Sequence, residues 1–385
     1  MKHQKHFFKL LIITLIAVAF GIAQSSDSKR DRTFSVGKSC SLETSVSGGD
    51  LVIKTWDKNE INVSIDGLDD EDLEYVRMEQ SGNTVRVTYR PRWSHWGGGN
   101  NARFTMTVPT QCEVNLKTSG GDIDLEGNLM ADAHGSTSGG DITIERIKGS
   151  VNMSTSGGDI KTGDIDGKAD LRTSGGNIRL AAVNGEASVS TSGGDITIEK
   201  VGKRLDARTS GGDVEVGDIG GDASLSTAGG EVRVGKVSGN ATLRTAGGDI
   251  ELGGASGVVK AKTAGGDITL ENITGSIEAK TAGGNVKAEL NPTGKGGSEL
   301  STAGGDIRLY VPANAKAVIE AEIRLRDDWG WSRHSHKYDI KSDFKSESYE
   351  KDPDGEYIRA RYVLNGGGET ITLETVNGNI NIEKK

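Results

Sequence analysis

Carboxylates recur along this chain at a fixed spacing, each preceded by two glycines, and a column of this kind could hold cations. The repeated unit reads Thr, then Ser or Ala, then Gly-Gly, then an acid or Asn, and it is first complete at residues 118–122. Successive units are spaced by 19 residues, then eight times by 18, then by 21. The last position of the unit is occupied in turn by Asp122, Asp141, Asp159, Asn177, Asp195, Asp213, Glu231, Asp249, Asp267, Asn285 and Asp306.

The acidic column favours capping of backbone amides over calcium binding. Calcium β-rolls use a nonapeptide repeat in which both turns supply ligands, whereas here one turn in each 18 residues carries Gly-Gly-Asp. Asn177, Glu231 and Asn285 interrupt the column, and a calcium ion takes about six to eight oxygen ligands. We therefore expect neither a metal nor a cofactor.

Catalysis by paired carboxylates is the second chemistry that the acids suggest. Polysaccharide lyases and hydrolases built on β-helices need two carboxylates at a defined separation in a groove formed by long loops. The turns of the central repeats are too short to form such a groove. The sequence also lacks a serine elbow, a His-Glu-x-x-His motif and a Cys–His pairing. We therefore predict that the protein is not an enzyme.

Two glycine-flanked segments, 93–99 and 329–336, bring tryptophan together with histidine or arginine. Trp and Arg are enriched at binding hot spots, which makes these segments candidate ligand-binding sites. The same rings could instead cover the open ends of a repeat core. His334 and His336 provide at most half of a metal site. The candidate ligand-binding residues are Trp93, Trp96, Trp329 and Trp331.

Two cysteines share a position relative to the repeat. Cys40 and Cys112 each lie ten residues before the Asp of a Ser-Gly-Gly-Asp segment, Asp50 and Asp122. Equivalent positions in stacked coils are about 4.8 Å apart, which falls within the roughly 4.4–6.8 Å Cα separation that a disulfide accepts. The matched offset favours a Cys40–Cys112 disulfide over two unrelated buried thiols.

The residues around the column predict two short strands in each repeat. With the acid as position 0, positions +1 and +3 are apolar and +2 is polar, as in Ile196, Thr197 and Ile198. A second apolar pair stands at −8 and −6, as in Val151 and Met153. Alternation of period two is typical of strands with one buried face, and short identical repeats favour parallel stacking over antiparallel hairpins. The fold class is therefore all-β, a parallel β-solenoid with two strands per 18-residue coil.

The glycine pair and the Thr at −4 are expected to build the corner of each coil. We expect the glycines to supply positive φ, the acid to cap free turn amides, and the buried Thr hydroxyl to bond to the turn. No Phe, Tyr or Trp occurs from residue 105 to 309, as expected where layers of aliphatic side chains pack closely. The alternating charges at +2 predict a self-compensated face.

The chain divides into four segments: a signal peptide at 1–23, N-terminal strands and a capping segment at 24–117, regular repeats at 118–310, and a C-terminal capping segment with a last repeat at 311–385. Residues 1–23 place Lys2, Lys5 and Lys9 before an apolar run that ends in small residues. The run is shorter than the roughly 20 residues of a membrane span. Cleavage changes the formal charge from −9 to −12 because three lysines leave. This net negative charge argues against nucleic acid as a partner, because the phosphate backbone is also negative.

The repeats, the opening segment 49–53 with Trp56, the pair Val108-Pro109 and the closing segment 377–380 resemble the bacterial putative-adhesin family of β-strand-repeat proteins. The resemblance covers almost the whole chain after the signal segment. It implies an exported β-solenoid and provides no catalytic residues to transfer.

These observations predict a non-catalytic, adhesin-like scaffold or binding protein in the periplasm, at the cell surface or outside the cell. The expected partner is an envelope glycan or another surface protein, with no membrane insertion after signal cleavage. The alternative is a carbohydrate-active enzyme, a polysaccharide lyase or hydrolase, acting at the Trp-rich end segments. A carboxylate pair in a cleft would favour the enzyme, and flat sides with aromatic ends would favour the binding protein.

Overall fold

The computed structural model describes residues 28–91, 101–294, 296–326 and 337–385. The predicted signal peptide, residues 1–23, therefore lies outside the described residues. The N-terminal elements are β1 (Asp31–Ser35), β2 (Cys40–Val46), β3 (Asp50–Trp56), β4 (Glu60–Asp66), a 3₁₀ turn (Asp72–Tyr75), β5 (Val76–Ser81), β6 (Thr84–Tyr89), β7 (Arg103–Pro109) and β8 (Cys112–Lys117).

The regular repeats contribute short strands, each beginning at the same position of the repeat as its equivalents in the neighbouring coils. They are β9 (Ile123–Leu129), β10 (Ala133–Ser136), β11 (Ile142–Ile147), β12 (Val151–Ser154), β13 (Ile160–Thr162), β14 (Ala169–Arg172), β15 (Ile178–Val183), β16 (Ala187–Ser190), β17 (Ile196–Val201), β18 (Leu205–Arg208), β19 (Val214–Ile219), β20 (Ala223–Ser226), β21 (Val232–Val237), β22 (Ala241–Arg244), β23 (Ile250–Ala255), β24 (Val259–Lys262), β25 (Ile268–Ile273), β26 (Ile277–Thr281), β27 (Val286–Leu290), β28 (Ser298–Thr302) and β29 (Ile307–Val311). The C-terminal strands are β30 (Ala317–Arg324), β31 (Ile340–Ser342), β32 (Ser348–Lys351), β33 (Tyr357–Leu364), β34 (Glu369–Val376) and β35 (Ile380–Lys384).

The repeats stack as parallel coils, which confirms the predicted β-solenoid. Odd-numbered strands from β9 to β29 pair in parallel to form sheet A, and even-numbered strands from β8 to β28 form sheet B. The register places each repeat position directly on its equivalent, as in Ile198 beside Val216. Sheet A has 17 strands in all, so the stack is roughly 75 Å long at about 4.8 Å per strand.

The two sheets enclose one aliphatic core. Ile196 and Ile198 are buried while Thr197 between them is only partly buried, as the alternation predicts. Val189 and Ala207 provide the corresponding inward residues of sheet B. Since each coil alone has too few apolar residues for a core, stability depends on contacts between neighbouring coils.

The Thr at −4 closes the corner of each coil, as expected, but the glycines act differently from the prediction. The buried Thr191 hydroxyl donates to the Gly176 carbonyl at 2.8 Å and accepts from the Gly194 amide at 3.4 Å. The prediction of positive φ at the glycine pairs is wrong for the central coils; among these pairs only Gly49 has one, at 102°. Instead, a Cβ on Gly194 would lie 2.2 Å from the Gly176 carbonyl oxygen. The second glycine is needed because successive corners approach so closely.

At both ends the stacking order departs from the chain order. The first coil, β2 and β3, lies between the coil of β6 and β7 and the coil of β8 and β9. The last coil, β34 and β35, likewise lies between β28 and β29 on one side and β30 and β31 on the other. At the N-terminal end the chain leaves the first coil and returns to cover it. At the C-terminal end it forms the covering coil first and then inserts the last coil beneath it.

Antiparallel strands finish the two ends of the stack. β1 and β4 extend sheet A beyond β7, and β5 extends sheet B beyond β6. At the other end, β33 and β32 extend sheet B beyond β30. Short terminal strands limit edge-to-edge aggregation. Within the described ranges the only helix is the 3₁₀ turn, so no helix there has the length and apolar character of a membrane span.

Candidate functional site

The acidic column forms a ladder of hydrogen bonds along the corner that joins sheet B to sheet A. In each regular rung the side chain accepts from the backbone amide at the same position of the next coil, as Asp195 Oδ1 does from Asp213 at 2.9 Å. The ladder begins at Asp50 and continues through Asp306 to Asn379. These bonds are the predicted caps for turn amides. Among the described residues, no group of three or more His, Cys, Asp or Glu side chains could hold a metal ion.

One rung of the ladder is missing. The carboxylate of Glu231 pairs with Arg233 instead of accepting from Asp249 in the next coil. The longer side chain of Glu reaches beyond the amide that Asp caps.

Asp124 is the one carboxyl in the described ranges whose pKa is raised. Burial is the main cause, and the neighbouring charges of Asp122, Glu126 and Asp50 add to it. In a catalytic pair of carboxylates, the two groups have different environments, and this difference moves their pKa values apart. Here the shift follows from burial of Asp124 beside acids of its own coil and of the adjacent coil, which is a structural cause.

The four predicted tryptophans, Trp93, Trp96, Trp329 and Trp331, lie outside the described residues, as do His334 and His336. The strands on either side of them show where both segments join the solenoid. Residues 92–100 connect β6 to β7, and residues 327–336 connect β30 to β31, so each runs from sheet B to sheet A. The described strand ends that flank the two segments therefore lie at the corner that carries the Gly-Gly-Asp ladder, one pair at each end of the stack.

Hydrogen bonds of the described residues that follow the two segments connect these residues to the ladder. The Asp50 amide donates to the Ala102 carbonyl at 2.8 Å, just after the first segment. The Asp339 amide donates to Asn379 Oδ1 at 3.2 Å, just after the second. In the 17-strand order β7 is third and β31 is last, which separates them by roughly 65 Å at about 4.8 Å per strand.

Cys40 and Cys112 are brought together at the start of β2 and β8. They are in-register partners of neighbouring strands, and a disulfide joins them with a Cα–Cα distance of 4.6 Å. The bond therefore attaches the first coil to the regular array across the 72-residue excursion of the chain.

A groove of about 590 Å³ crosses the outer face of sheet A over β17 to β25. At position +4, three consecutive coils have Gly217, Gly235 and Gly253, whereas the coils on either side have Glu199 and Glu271. The missing side chains open the groove. Position +2 contributes further lining residues: Thr197, Glu215, Arg233, Glu251 and Thr269. We call this feature the acidic groove.

The acidic groove has more negative than positive charge. Four carboxylates line it against the single guanidinium of Arg233, which already contacts Glu231 and lies 3.5 Å from Glu251. Of the four, Glu271 lies 3.7 Å from the ammonium group of Lys287 in the adjacent coil. Among the described residues, Glu199 and Glu215 make no side-chain hydrogen bond or ion pair. A cationic group entering the groove would therefore meet carboxylates that have no internal partner.

The outer face of sheet B carries a cluster of bases, which we call the basic patch. It consists of Arg244, Lys260, Lys262 and Lys280 on β22, β24 and β26. Glu278 lies among the lysines and is 2.6 Å from the Lys262 ammonium group. The hydrogen bond from Lys262 lowers the pKa of Glu278.

The bases of this patch outnumber the acids that contact them. Lys280 pairs with Glu299 at 2.7 Å, and this hydrogen bond raises the pKa of Lys280. Lys260 reaches only 4.0 Å from Glu278. Within the described chain, the exposed Arg244 guanidinium makes no hydrogen bond or ion pair. Four cations against two carboxylates leave the patch positive.

Neither charged surface was foreseen from the sequence, although both had a signal there. The prediction of a self-compensated face followed the +2 column, which carries charges of both signs. The groove follows from the +4 column, where Glu gives way to glycine in three successive coils. The basic patch follows from the −5 column, where Arg244, Lys262 and Lys280 succeed one another.

The family pattern described as Toastrack DUF4097 matches this chain twice, over residues 40–219 and 201–383. The chain belongs to the Toastrack DUF4097 family. The two matches together span more than half of the chain and include both terminal coils as well as the regular repeats. The resemblance to the bacterial putative-adhesin family of β-strand-repeat proteins noted above is thereby confirmed at the level of family and fold.

Two of the solved structures to which this chain is similar are bacterial proteins. One is a putative adhesin from Bacteroides fragilis NCTC 9343, with 11% identity and a TM-score of 0.29, which covers 92% of this Toastrack chain and 96% of its own. The other is a putative cell adhesion protein from Clostridium sporogenes ATCC 15579, with 8% identity and a TM-score of 0.16, covering 92% and 99%. At these scores neither likeness supports a statement about function. No curated protein matches the chain.

Proposed function

We propose that this Toastrack protein is an exported, non-catalytic scaffold of the cell envelope or cell surface that holds two binding segments a fixed distance apart. The observation that carries this proposal is that the strands flanking the two Trp-bearing connections share one corner of the solenoid, at opposite ends of the stack. A continuous hydrogen-bonded solenoid between them acts as a spacer, since each coil contacts its neighbours in register.

The proposed binding residues are Trp93, Trp96, Trp329 and Trp331. Large rings with adjacent arginine supply contact area at low entropic cost, which is why they dominate binding hot spots. The proposed partner is an envelope glycan or another surface protein. Two contacts on one rigid body would also gain avidity if the partner can reach both ends.

Export is supported by the sequence of residues 1–23, and the disulfide suits an oxidising compartment. Fractionation of cells that produce the full chain tests this part of the proposal. We expect the protein in the periplasm, at the surface or in the medium, with residues 1–23 removed as judged by the mass of the mature chain. Recovery of the full-length mass from the cytoplasm would contradict export.

Pairwise alanine variants test the binding segments. We expect Trp93→Ala with Trp96→Ala, and separately Trp329→Ala with Trp331→Ala, to weaken retention on envelope glycan or an isolated surface protein by about 1–4 kcal/mol. The far-UV circular dichroism of a β protein should persist. If the variants unfold the ends and the wild type shows no binding, the rings are caps. Release of soluble sugar from the glycan would instead indicate a carbohydrate-active enzyme.

A further inference from the structure

We propose that copies of this protein associate side by side, with the basic patch of one copy seated on the acidic groove of the next. This inference concerns the central coils. It goes beyond the proposed function and does not depend on what the Trp-bearing segments bind.

The two surfaces lie on opposite faces at overlapping heights along the stack. The groove extends over β17 to β25 of sheet A, and the patch extends over β22 to β26 of sheet B. Outward side chains of the two sheets point away from their common core. A sideways displacement of one copy, with a small shift along the axis, therefore brings the patch of one onto the groove of its neighbour.

The same strand spacing governs both surfaces. Charges on each face repeat at about 4.8 Å along the axis because they stand on paired strands. A contact between two copies can therefore place bases from successive coils opposite acids from successive coils. A partner without stacked strands would match this charge spacing only by coincidence. A second copy of the chain has the same spacing because it has the same strands.

The charges that face outward on each surface are complementary. Glu199 and Glu215 in the groove, and Arg244 in the patch, have no partner within the described part of the chain. Complementary charges of this kind steer association and fix its register. The glycines at the groove floor leave room for the long stems of Arg and Lys, which can pack along the surface while their charged ends reach the carboxylates.

A contact between two different surfaces of the same chain does not close on itself. After two copies have joined, one groove and one patch remain free at the ends of the pair. Such heterologous contacts generate open rows unless a rotation closes them into a ring. The formal charge of −9 opposes close approach of copies, so the association should be weak and sensitive to salt.

Two variants can each disable one surface without breaking a strong internal ion pair. The groove variant is Glu199→Gln with Glu215→Gln, and the patch variant is Arg244→Gln with Lys260→Gln. The matched control is Asp66→Asn with Glu79→Gln, two exposed acids near the N-terminal end whose replacement changes the net charge as the groove variant does. All of these side chains are outside the core, so the melting temperature should stay at the wild-type value and report that each variant folds.

Sedimentation velocity over a concentration series of the mature chain is the first measurement. We expect the weight-average mass of the wild type and the control to rise with concentration at about 0.05 M NaCl, and the apparent Kd to weaken at least about tenfold at about 0.5 M NaCl. Each variant alone should remain monomeric. A wild type that stays monomeric at low salt up to near-millimolar concentration overturns the proposal.

An equimolar mixture of the two variants is the decisive experiment. The groove variant keeps an intact patch and the patch variant keeps an intact groove, so together they should form a dimer and nothing larger. Self-association that survives in either variant, or a mixture that stays monomeric, overturns the proposal. So does a monomeric wild type whose groove captures an oligolysine probe, since the groove would then serve a different cationic partner.

Discussion

The middle of the solenoid and its two ends use opposite solutions to the same problem of covering an aliphatic core. In the middle, every strand pairs in parallel with its equivalent in the next coil, and no aromatic residue occurs between 105 and 309. At the ends the pairing turns antiparallel, and rings such as Tyr89 and Phe104 pack at 5.8 Å between centroids. Burial there raises the pKa of Tyr89 to about 12.

The difference shows which parts of the fold are determined locally. A middle coil can be added or removed without changing how its neighbours pair, because each contact repeats. An end coil must terminate two sheets at once, and it does so with strands from distant parts of the sequence. We therefore expect substitutions in the middle to act through one repeated geometry, and substitutions at the ends to act on long-range closure.

The largest effect is expected where a charge is placed between middle coils. Ile198→Asp should be severely destabilising, by more than about 4 kcal/mol, since the side chain is 1% exposed and an unpaired carboxylate would be buried. Thr197→Asp, one residue away on the outer face, should cost under about 1 kcal/mol. Thermal unfolding followed by circular dichroism compares the two. Equal losses of Tm would contradict the assigned inner and outer faces.

Loss of the disulfide should have the next largest effect and should concentrate at the N-terminal end. Closing a 72-residue loop stabilises a protein by about 4 kcal/mol in the chain-entropy model and often by less. Cys40→Ser with Cys112→Ser should therefore lower Tm. Amide exchange should speed up in β2 to β7 before it does in the central coils.

The control for this prediction is the oxidation state of Cys40 and Cys112 in the wild-type protein. Mass spectrometry of the protein taken from its own compartment should show a chain two hydrogens lighter than the fully reduced form. Two free thiols there would contradict the disulfide. A uniform gain in exchange along the whole chain would contradict the distinction between the ends and the middle.

The two glycines of one corner offer a closely matched pair of variants. A Cβ on Gly194 would lie 2.2 Å from a backbone oxygen of the preceding coil, whereas a Cβ on Gly193 would lie 3.4 Å from one. Gly194→Ala should cost about 1–3 kcal/mol because backbone must move, and Gly193→Ala should stay within about 0.5 kcal/mol. Urea titration of both variants measures the difference. Similar losses would show that backbone conformation, not close approach, selects the glycines.

The sequence was most informative where the fold is local. The alternation at Ile196 to Ile198, the hydroxyl of Thr191 and the capping by Asp195 follow from residues within one repeat and its neighbour, and the structure bears them out. The parallel register could be predicted because identical coils place like residues side by side. The role of Gly194 was misjudged because the approach of two backbones cannot be seen in one coil.

The ends could not be predicted in the same way. Nothing in residues 40–56 shows that residues 84–109 will return to cover them, since that contact depends on the route of the chain through β4 and β5. The sequence predicts a last repeat at segment 377–380, and β35 does pair in parallel with β29 there. The sequence does not show that this coil lies inside the C-terminal cap, between β29 and β31. The shared corner of the two Trp-bearing connections follows from the same routing.

The smallest effect is expected for calcium, which should leave the Tm of the protein unchanged. In the middle coils one oxygen of each ladder carboxylate is already engaged, as when Asp213 Oδ1 accepts from the Glu231 amide at 2.8 Å. A ligand that binds the folded state raises Tm with its concentration, so Tm should be the same in millimolar calcium, in magnesium and with chelator. Asp213→Asn keeps the acceptor and should be tolerated, as Asn177 is in the same column, where its Oδ1 accepts from Asp195 at 2.8 Å. A calcium-specific rise of many degrees that Asp213→Asn reduces would instead make the ladder a metal site, and the middle of the solenoid would then share in binding.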